Sequence, residues 1–342
     1  ALSHLLRLRL FLIVLSLFAA CHLVAPAQAE TSFDSYFTGT TLRFDYFHTG
    51  TFGQEEIALD RVRLEGEWSG RRAQLFDTTN LGLYMFVVVD LVTNQPIYSA
   101  GFSSIFGEWQ STGEARAGTW RAFHESQRFP EPRAPVQLVL KRRGPDGAFR
   151  EIHSHRFDPK SRFVDRSAIR QTGEVWNVFR SGPAPEKVDL LILGDGYAPE
   201  EVESYREDAR AVAEALFAFP PFKRRKDDFN VLAIDVPATE SGVTKPREGT
   251  WRSYPLGMSY NIFDSERYML TYANRELREI AAAAPYDFLI LIANSDKYGG
   301  GGIFNLYSTA AARSEQMPYL IVHEFGHAFA GLGDEYYTSQ VA

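Results

Sequence analysis

The stretch that decides the architecture of this chain lies near its end and reads Ile321-Val322-His323-Glu324-Phe325-Gly326-His327-Ala328-Phe329-Ala330-Gly331-Leu332-Gly333-Asp334-Glu335-Tyr336. It carries His-Glu-x-x-His inside an apolar run that is typical of a buried helix. Residues four apart share one helical face, so His323 and His327 point the same way, about one turn apart. Two imidazoles in this arrangement bind one zinc ion, and Glu324 between them is placed to act as general base.

A catalytic zinc ion takes a third protein ligand, and the residues after the motif indicate its source. Gly331 can end the helix in a left-handed turn, after which the chain folds back toward the metal. The spacing found in metzincins would place the ligand at Gly333, which has no side chain to coordinate. Asp334 is therefore the predicted third ligand, with Glu335 as the alternative. Tyr336 either donates a hydrogen bond to the oxyanion or packs below the site.

The beginning of the chain predicts an export signal. Arg7 and Arg9 form a charged start, residues 10–20 are apolar, and Ala27-Gln28-Ala29 matches a cleavage site. The protein is therefore expected to be secreted or periplasmic. The residues before Cys21 also resemble a bacterial lipoprotein signal, in which case acylation would tether the chain to the outer membrane. Cys21 is the only cysteine, which excludes disulfides and a thiol nucleophile.

The 342 residues predict two domains after the signal peptide of residues 1–29. Over residues 30–180, short segments alternate polar and apolar residues and are separated by turn signals, which is typical of an all-β sandwich. A Gly- and Pro-rich linker at 181–185 follows. Beyond it, buried-type strands alternate with helical patterns, which predicts an α/β domain over residues 181–342. Within that domain the predicted strands are 188–193, 229–236 and 286–293, and the predicted helix before the motif is 265–284.

A run of four glycines at 299–302 precedes the motif. Residues 303–308, directly after the glycines, are a predicted strand. We expect the glycines to leave the backbone bare and mobile. In zinc peptidases of this kind, an edge strand above the metal binds the substrate backbone, and adjacent glycines let a peptide approach closely. A flexible hairpin without a binding role is the alternative. The predicted substrate-binding residues are Gly301, Gly302, Ile303 and Asn305.

Composition narrows the class of partner. The net charge is -7, and basic residues are not gathered into one stripe, so the sequence excludes an ordinary nucleic-acid binder. The content of 45% hydrophobic and 23% charged residues is that of a globular protein. The zinc-peptidase interpretation of the His-Glu-x-x-His motif leads us to expect a protein or peptide substrate, while the oligomeric state has no signature in the sequence.

Several segments together resemble the IgA-peptidase family of bacterial zinc metallopeptidases. They are residues 323–327 and 331–336, the 299–305 stretch, Gly194-Asp195-Gly196-Tyr197, and the front-half segments 42–46 and 77–82, which are similar to the family's N-terminal accessory domain. The resemblance covers nearly everything after the signal peptide. It implies a metzincin-like domain with His323, His327 and Asp334 on zinc and Glu324 as general base. Immunoglobulin A as substrate does not carry over, because no residue here reports on it.

One departure from a complete peptidase is visible. A metzincin-like domain needs a methionine-containing turn after the third ligand, whereas the last methionine here is Met317. We therefore expect the catalytic domain to be truncated at its C-terminus and the chain as given to hold zinc weakly and cleave poorly.

These observations predict an exported zinc-dependent endopeptidase that hydrolyses extracellular proteins. One alternative is a non-catalytic exported binding protein with a structural metal site, although such a site would need four protein ligands and only three candidates are present. A second alternative is another zinc-dependent amide hydrolase.

Overall fold

Near the start of the structure lies a long hairpin of β1 (Phe37–Thr51) and β2 (Gln54–Glu67). The structure is a computed structural model that describes residues 32–334. The predicted signal peptide, Cys21, Glu335 and Tyr336 therefore lie outside the described residues. Within residues 32–334, no helix combines the length and apolar character that a membrane crossing requires.

The N-terminal region is built from two four-stranded sheets, in the orders β5-β1-β2-β8 and β4-β3-β6-β7. Aromatic and aliphatic side chains from both sheets form one buried core, which is the packing of a β-sandwich. The prediction of a β-rich N-terminal region is confirmed. Its remaining elements are α1 (Phe33–Tyr36), β3 (Tyr84–Asp90), β4 (Gln95–Phe102), α2 (Ile105–Gln110), α3 (Gly113–Arg116), β5 (Arg121–Pro132), β6 (Val136–Arg143), β7 (Phe149–Phe157) and β8 (Val164–Asp165).

The C-terminal region is mixed α/β, as predicted, around a six-stranded sheet in the order β15-β16-β14-β10-β11-β9. Its four central strands are parallel, and the two edge strands are antiparallel to their neighbours. Its elements are β9 (Val175–Phe179), β10 (Val188–Asp195), α4 (Val202–Ala218), β11 (Phe229–Ile234), β12 (Met258–Ser259), β13 (Leu270–Thr271), α5 (Asn274–Ala281), β14 (Phe288–Ala293), β15 (Gly300–Ile303), β16 (Tyr307–Ala311) and α6 (Met317–Ala330).

The central strands read as continuous apolar runs because both faces of the sheet are covered. Helices α4 and α6 pack on one face. The other face is covered by the segments around β12, β13 and α5, together with Phe106, Trp109 and Phe123 of the N-terminal region. The two regions therefore share a core. Strand β9 joins this sheet although it precedes residue 181, and the domain boundary at 180/181 remains a prediction.

Two predicted elements are wrong. The helix at 265–284 is reduced to α5, because the backbone around Tyr268 and Met269 bonds to Gly300 instead of to its own helical turn. The predicted strand at 303–308 is interrupted by a tight turn at 304–306, which joins β15, from Gly300 to Ile303, to β16. The first error arises from the long-range pairing of Tyr268 with Gly300, which local sequence patterns do not encode, and the second from the hairpin of β15 with β16.

Candidate metal centre and cleft

Helix α6 presents the His-Glu-x-x-His motif. Pro318 occupies its first turn, where a missing N–H costs nothing. Gly331 ends it in the left-handed region at φ 61°, as predicted, and its N–H donates to the carbonyl of His327 at 3.0 Å. Leu320 and Phe325 are among the apolar residues that the helix buries against the sheet. The opposite face, with both histidines, lines a cleft.

The turn after Gly331 brings Asp334 back to the two histidines. The Nε2 atoms of His323 and His327 lie 3.1 Å apart. Asp334 Oδ1 lies 3.1 Å from the first and 3.3 Å from the second. In a tetrahedral site with bonds of about 2.0–2.1 Å, ligand atoms are separated by about 3.3 Å. The three atoms therefore have the spacing of ligands around one ion.

The hydrogen bonds around these atoms fit a divalent metal. Asp334 Oδ1 is buried and has no hydrogen-bond partner among the described residues. Nδ1 of His327 lies 2.5 Å from the carbonyl oxygen of Leu332, which can only accept, so Nδ1 carries the hydrogen and Nε2 keeps its lone pair. Burial and the neighbouring His327 lower the pKa of His323, which favours the neutral form that ligates metals. Two imidazoles and one carboxylate are a donor set that zinc accepts.

Glu324 lies beside this centre, on the cleft side of α6. Burial raises the pKa of its carboxyl to about 8, with further contributions from the negative charges of Asp334 and Glu108, while Arg267 acts in the opposite direction. A carboxylate held in such a desolvated site gains proton affinity, which is a requirement for a general base acting near neutral pH.

The cleft in front of the metal centre has a volume of about 500 Å³ and two walls of different origin. One wall is α6 with the strand β15. The other comes from the N-terminal region and includes Leu83, Ser104 and Glu108. Glu108 accepts a hydrogen bond from the hydroxyl of Tyr268, and burial raises the pKa of its carboxyl to about 7. The N-terminal region is thus part of the site.

Comparison with known protein families agrees with this geometry. A sequence model described as IgA Peptidase M64 matches residues 177–342, and one described as Peptidase M64 N-terminus matches residues 32–154. The chain belongs to the IgA peptidase M64 family. This is a family of metallopeptidases, so the α/β region is a peptidase domain. The two matches correspond to the two structural regions, and no curated protein matches the chain.

The glycine run of this M64 chain is buried against α6, so the prediction that it leaves the backbone bare and mobile is wrong. A Cβ atom on Gly302 would lie 2.2 Å from the carbonyl oxygen of Glu324 and 2.9 Å from Cβ of His327. A Cβ atom on Gly300 would lie 3.1 Å from Cγ of Glu324. Glycine at these two positions therefore lets β15 lie directly against the metal-binding turn of the helix.

The outer edge of β15 is partly covered. Gly300 bonds to the backbone of Arg267 and Met269, each at 3.1 Å, and the N–H of Ser103 donates to Phe304 at 3.0 Å. Gly302 lies between these two covered positions and lines the cleft.

The other predicted substrate-binding residues are placed away from the cleft. Gly301 faces Tyr268 and Leu270 on the opposite side of the strand. Ile303 is buried in the core. The side chain of Asn305 donates to the carbonyl of Gly101 at 2.6 Å and so joins the two regions. Of the four predicted residues, Gly302 is the one that borders the cleft.

A second acidic group, Asp45, Asp60 and His124, also has metal-like spacing. Its charges are already compensated, since Arg43 lies 2.8 Å from Asp45 and Arg275 lies 2.7 Å from Asp60. Guanidinium groups occupy the positions that a cation would take. This group is therefore an ion-pair network.

Sequence reasoning missed Glu108, Tyr268 and Phe263 as cleft residues. Glu108 lies 160 residues before Tyr268 in the chain, and none of the three belongs to a motif. The one local signal near them is the cap of α2, where Ser104 Oγ accepts from the N–H of Gly107. That signal predicts a short helix but does not indicate which surface the helix contacts.

Proposed function

We propose that this chain is a zinc-dependent endopeptidase that acts on proteins outside the cytoplasm. The observation that carries the proposal is the convergence of His323, His327 and Asp334 within 3.1–3.3 Å of one another, beside Glu324 and an open cleft. The proposed ion is zinc because two imidazoles and a carboxylate leave one position for the reactants. The proposed fold of the domain is metzincin-like, with Gly331 turning the chain toward the third ligand.

Each residue of the site has a separate role in the proposed hydrolysis. Bound zinc supplies Lewis acidity to the attacking water and the scissile carbonyl. Glu324 takes the proton from the water and delivers it to the leaving amine. His327 is held in the ligating tautomer by the carbonyl of Leu332.

The proposed location of the protein and its proposed class of substrate are supported by observations outside the metal centre. Export is proposed from the charged and apolar beginning of the chain and its Ala27-Gln28-Ala29 site, with a lipoprotein acylated at Cys21 as the alternative. Action on internal peptide bonds is proposed because the cleft is open and passes between two walls. A structural metal site is disfavoured because the group offers three candidate ligands among residues 32–334, whereas a closed structural site has four.

The decisive experiment compares the purified full-length wild-type protein with its Glu324→Gln variant. The variant keeps all three ligands, so it should retain zinc in a 1:1 ratio by elemental analysis. Its rate of casein cleavage should fall by at least about 1,000-fold, since the proton acceptor is lost. Glu200→Gln, at an exposed position, is the matched control and should cleave like wild type.

Three outcomes would overturn parts of the proposal. Unchanged cleavage by a zinc-loaded Glu324→Gln protein would remove the enzymatic role of this site. A wild-type protein that holds zinc yet cleaves nothing would favour the exported binding protein. Mass spectrometry of products that shows hydrolysis of amides other than peptide bonds would favour another zinc-dependent amide hydrolase.

A further inference from the structure

A second groove, of about 620 Å³, adjoins the metal cleft. Thr112 and Phe263 line both cavities, so the two are direct neighbours. Thr112 comes from the N-terminal region, where it caps α3, and Phe263 comes from the loop before β13. The second groove therefore continues the same boundary between the two regions that forms the metal cleft.

Three aromatic rings connect the two cavities. Tyr268 lines the metal cleft, Phe263 lines both cavities, and Tyr272 lines the second groove. The ring centre of Phe263 lies 5.8 Å from that of Tyr268 and 6.5 Å from that of Tyr272. Each step is about the length of two residues of an extended chain. The row therefore offers contacts at the spacing of alternate side chains of a bound peptide.

The backbone at Phe263 is held in an unusual conformation. Phe263 has φ 52° and Asp264 has φ 62°, both in the left-handed region, which is unfavourable for a residue with a side chain. Arg247 holds this loop with bonds to the carbonyl and the carboxylate of Asp264, at 2.7 and 2.8 Å. Strain that the surrounding structure maintains is typical of residues that must be presented in one position.

The second groove also has the polar groups that a peptide needs. Arg121 and Glu114 form an exposed pair at 3.3 Å on its N-terminal wall. The guanidinium of Arg121 lies 5.5 Å from the ring centre of Tyr272. Charges of both signs beside aromatic faces favour a mixed polypeptide over a uniformly charged or purely apolar ligand.

We propose that the second groove is a distal substrate subsite, in which an extended polypeptide substrate of the proposed peptidase binds several residues away from the scissile bond. The peptide runs from the metal cleft along Tyr268, Phe263 and Tyr272. The N-terminal region supplies one wall of this path through residues 111–114 and Arg121. This inference rests on the proposed function and adds that efficient substrates are long chains rather than short peptides.

The test uses peptides of graded length. Cleavage sites in casein are mapped by mass spectrometry, and one site is synthesised as a short peptide and as two longer ones, extended on the amino or the carboxyl side. Wild type should cleave one of the extended peptides with a kcat/KM about tenfold above that of the short peptide, since remote binding energy increases the rate.

The first variant is Gly113→Phe, which adds a ring where a Cβ meets no atom within 4 Å, beside the second groove. It should reduce the ratio of long-peptide to short-peptide kcat/KM to near one, whereas Gly113→Ala should keep most of it. Phe263→Ala should reduce the same ratio by about fivefold through loss of the central aromatic contact. Its matched control is Phe163→Ala, an exposed phenylalanine outside both cavities.

The outcomes separate this inference from the proposed function. A wild-type enzyme that cleaves short and extended peptides equally well would overturn the distal subsite and leave the peptidase intact. Retention of the full length preference in both Gly113→Phe and Phe263→Ala would do the same. Failure to cleave casein itself would overturn both proposals, whereas cleavage of casein without cleavage of either extended peptide would overturn the distal subsite alone.

Discussion

Asp334 is the proposed third ligand of the metal centre. Asp334→Ala should weaken zinc affinity by at least about 100-fold, because one of three protein ligands is lost. A competition titration with a chromophoric chelator measures the effect. Asp296→Ala, at an exposed position, is the matched control. Unchanged affinity in Asp334→Ala would mean that another group, such as Glu335, is the third ligand.

Asp287 gives a pH dependence of stability at a position outside the metal centre. Burial, with added repulsion from Asp189, raises the pKa of its carboxyl to about 7, above its ordinary value of 3.8. The folded state therefore binds a proton more tightly than the unfolded state, and this contribution to stability is lost as pH rises from about 4 through 7.

Asp287→Asn removes that titration and keeps an oxygen that can accept from the N–H of Asp189, as in wild type at 2.8 Å. Its free energy of unfolding relative to wild type should therefore increase steadily between about pH 4 and pH 7 and then level off. Urea denaturation across this range measures the difference. Asp296→Asn is the exposed control, and a difference that does not vary with pH would contradict the assignment.

At the scale of elements, the contact between β15 and α6 fixes the metal-binding turn. Gly302→Ala places a methyl group 2.2 Å from the carbonyl oxygen of Glu324, so the helix or the strand must shift. We expect a loss of about 1–3 kcal/mol in stability together with weaker zinc binding. Chemical denaturation and zinc titration measure the two effects. Gly113→Ala, which meets open space, should change neither.

The sequence was most informative where the structure is locally determined. The spacing of His323 and His327 and the turn at Gly331 depend on a few neighbouring residues, and each could be read directly. Gly302 shows the limit of sequence analysis. A glycine that is required because a helix packs against it has the same local sequence signal as a glycine in a mobile loop. Glu108 shows the same limit, because its position in the cleft depends on how the N-terminal region packs against the α/β region.

At the scale of the whole molecule, charged and polar groups join the two regions. Nη2 of the buried Arg43 lies 2.5 Å from Oε1 of Glu279 on α5. The carbonyl of Tyr286 accepts from Arg128 and from Ser69, each at 2.8 Å. Together with the shared apolar core, these contacts indicate that the two regions unfold as one.

Calorimetry should accordingly show a single unfolding transition. Glu279→Ala should lower its midpoint, with a loss of about 1–2 kcal/mol, because the buried Arg43 loses the half-buried Glu279 as a partner while Asp45 and Glu65 remain. Glu276→Ala on the same helix is the control. Two well-separated transitions in wild type would contradict this coupling.

The position of Glu108 and its neighbours in the cleft has a practical consequence for anyone who dissects this protein. A conventional boundary between accessory and catalytic segments would remove the α2 wall and leave Tyr268 without its carboxylate partner. It would also expose the face of the sheet that Phe106 and Trp109 cover. The smallest useful piece for inhibitor screening or crystallisation is therefore one that keeps both regions on a single chain.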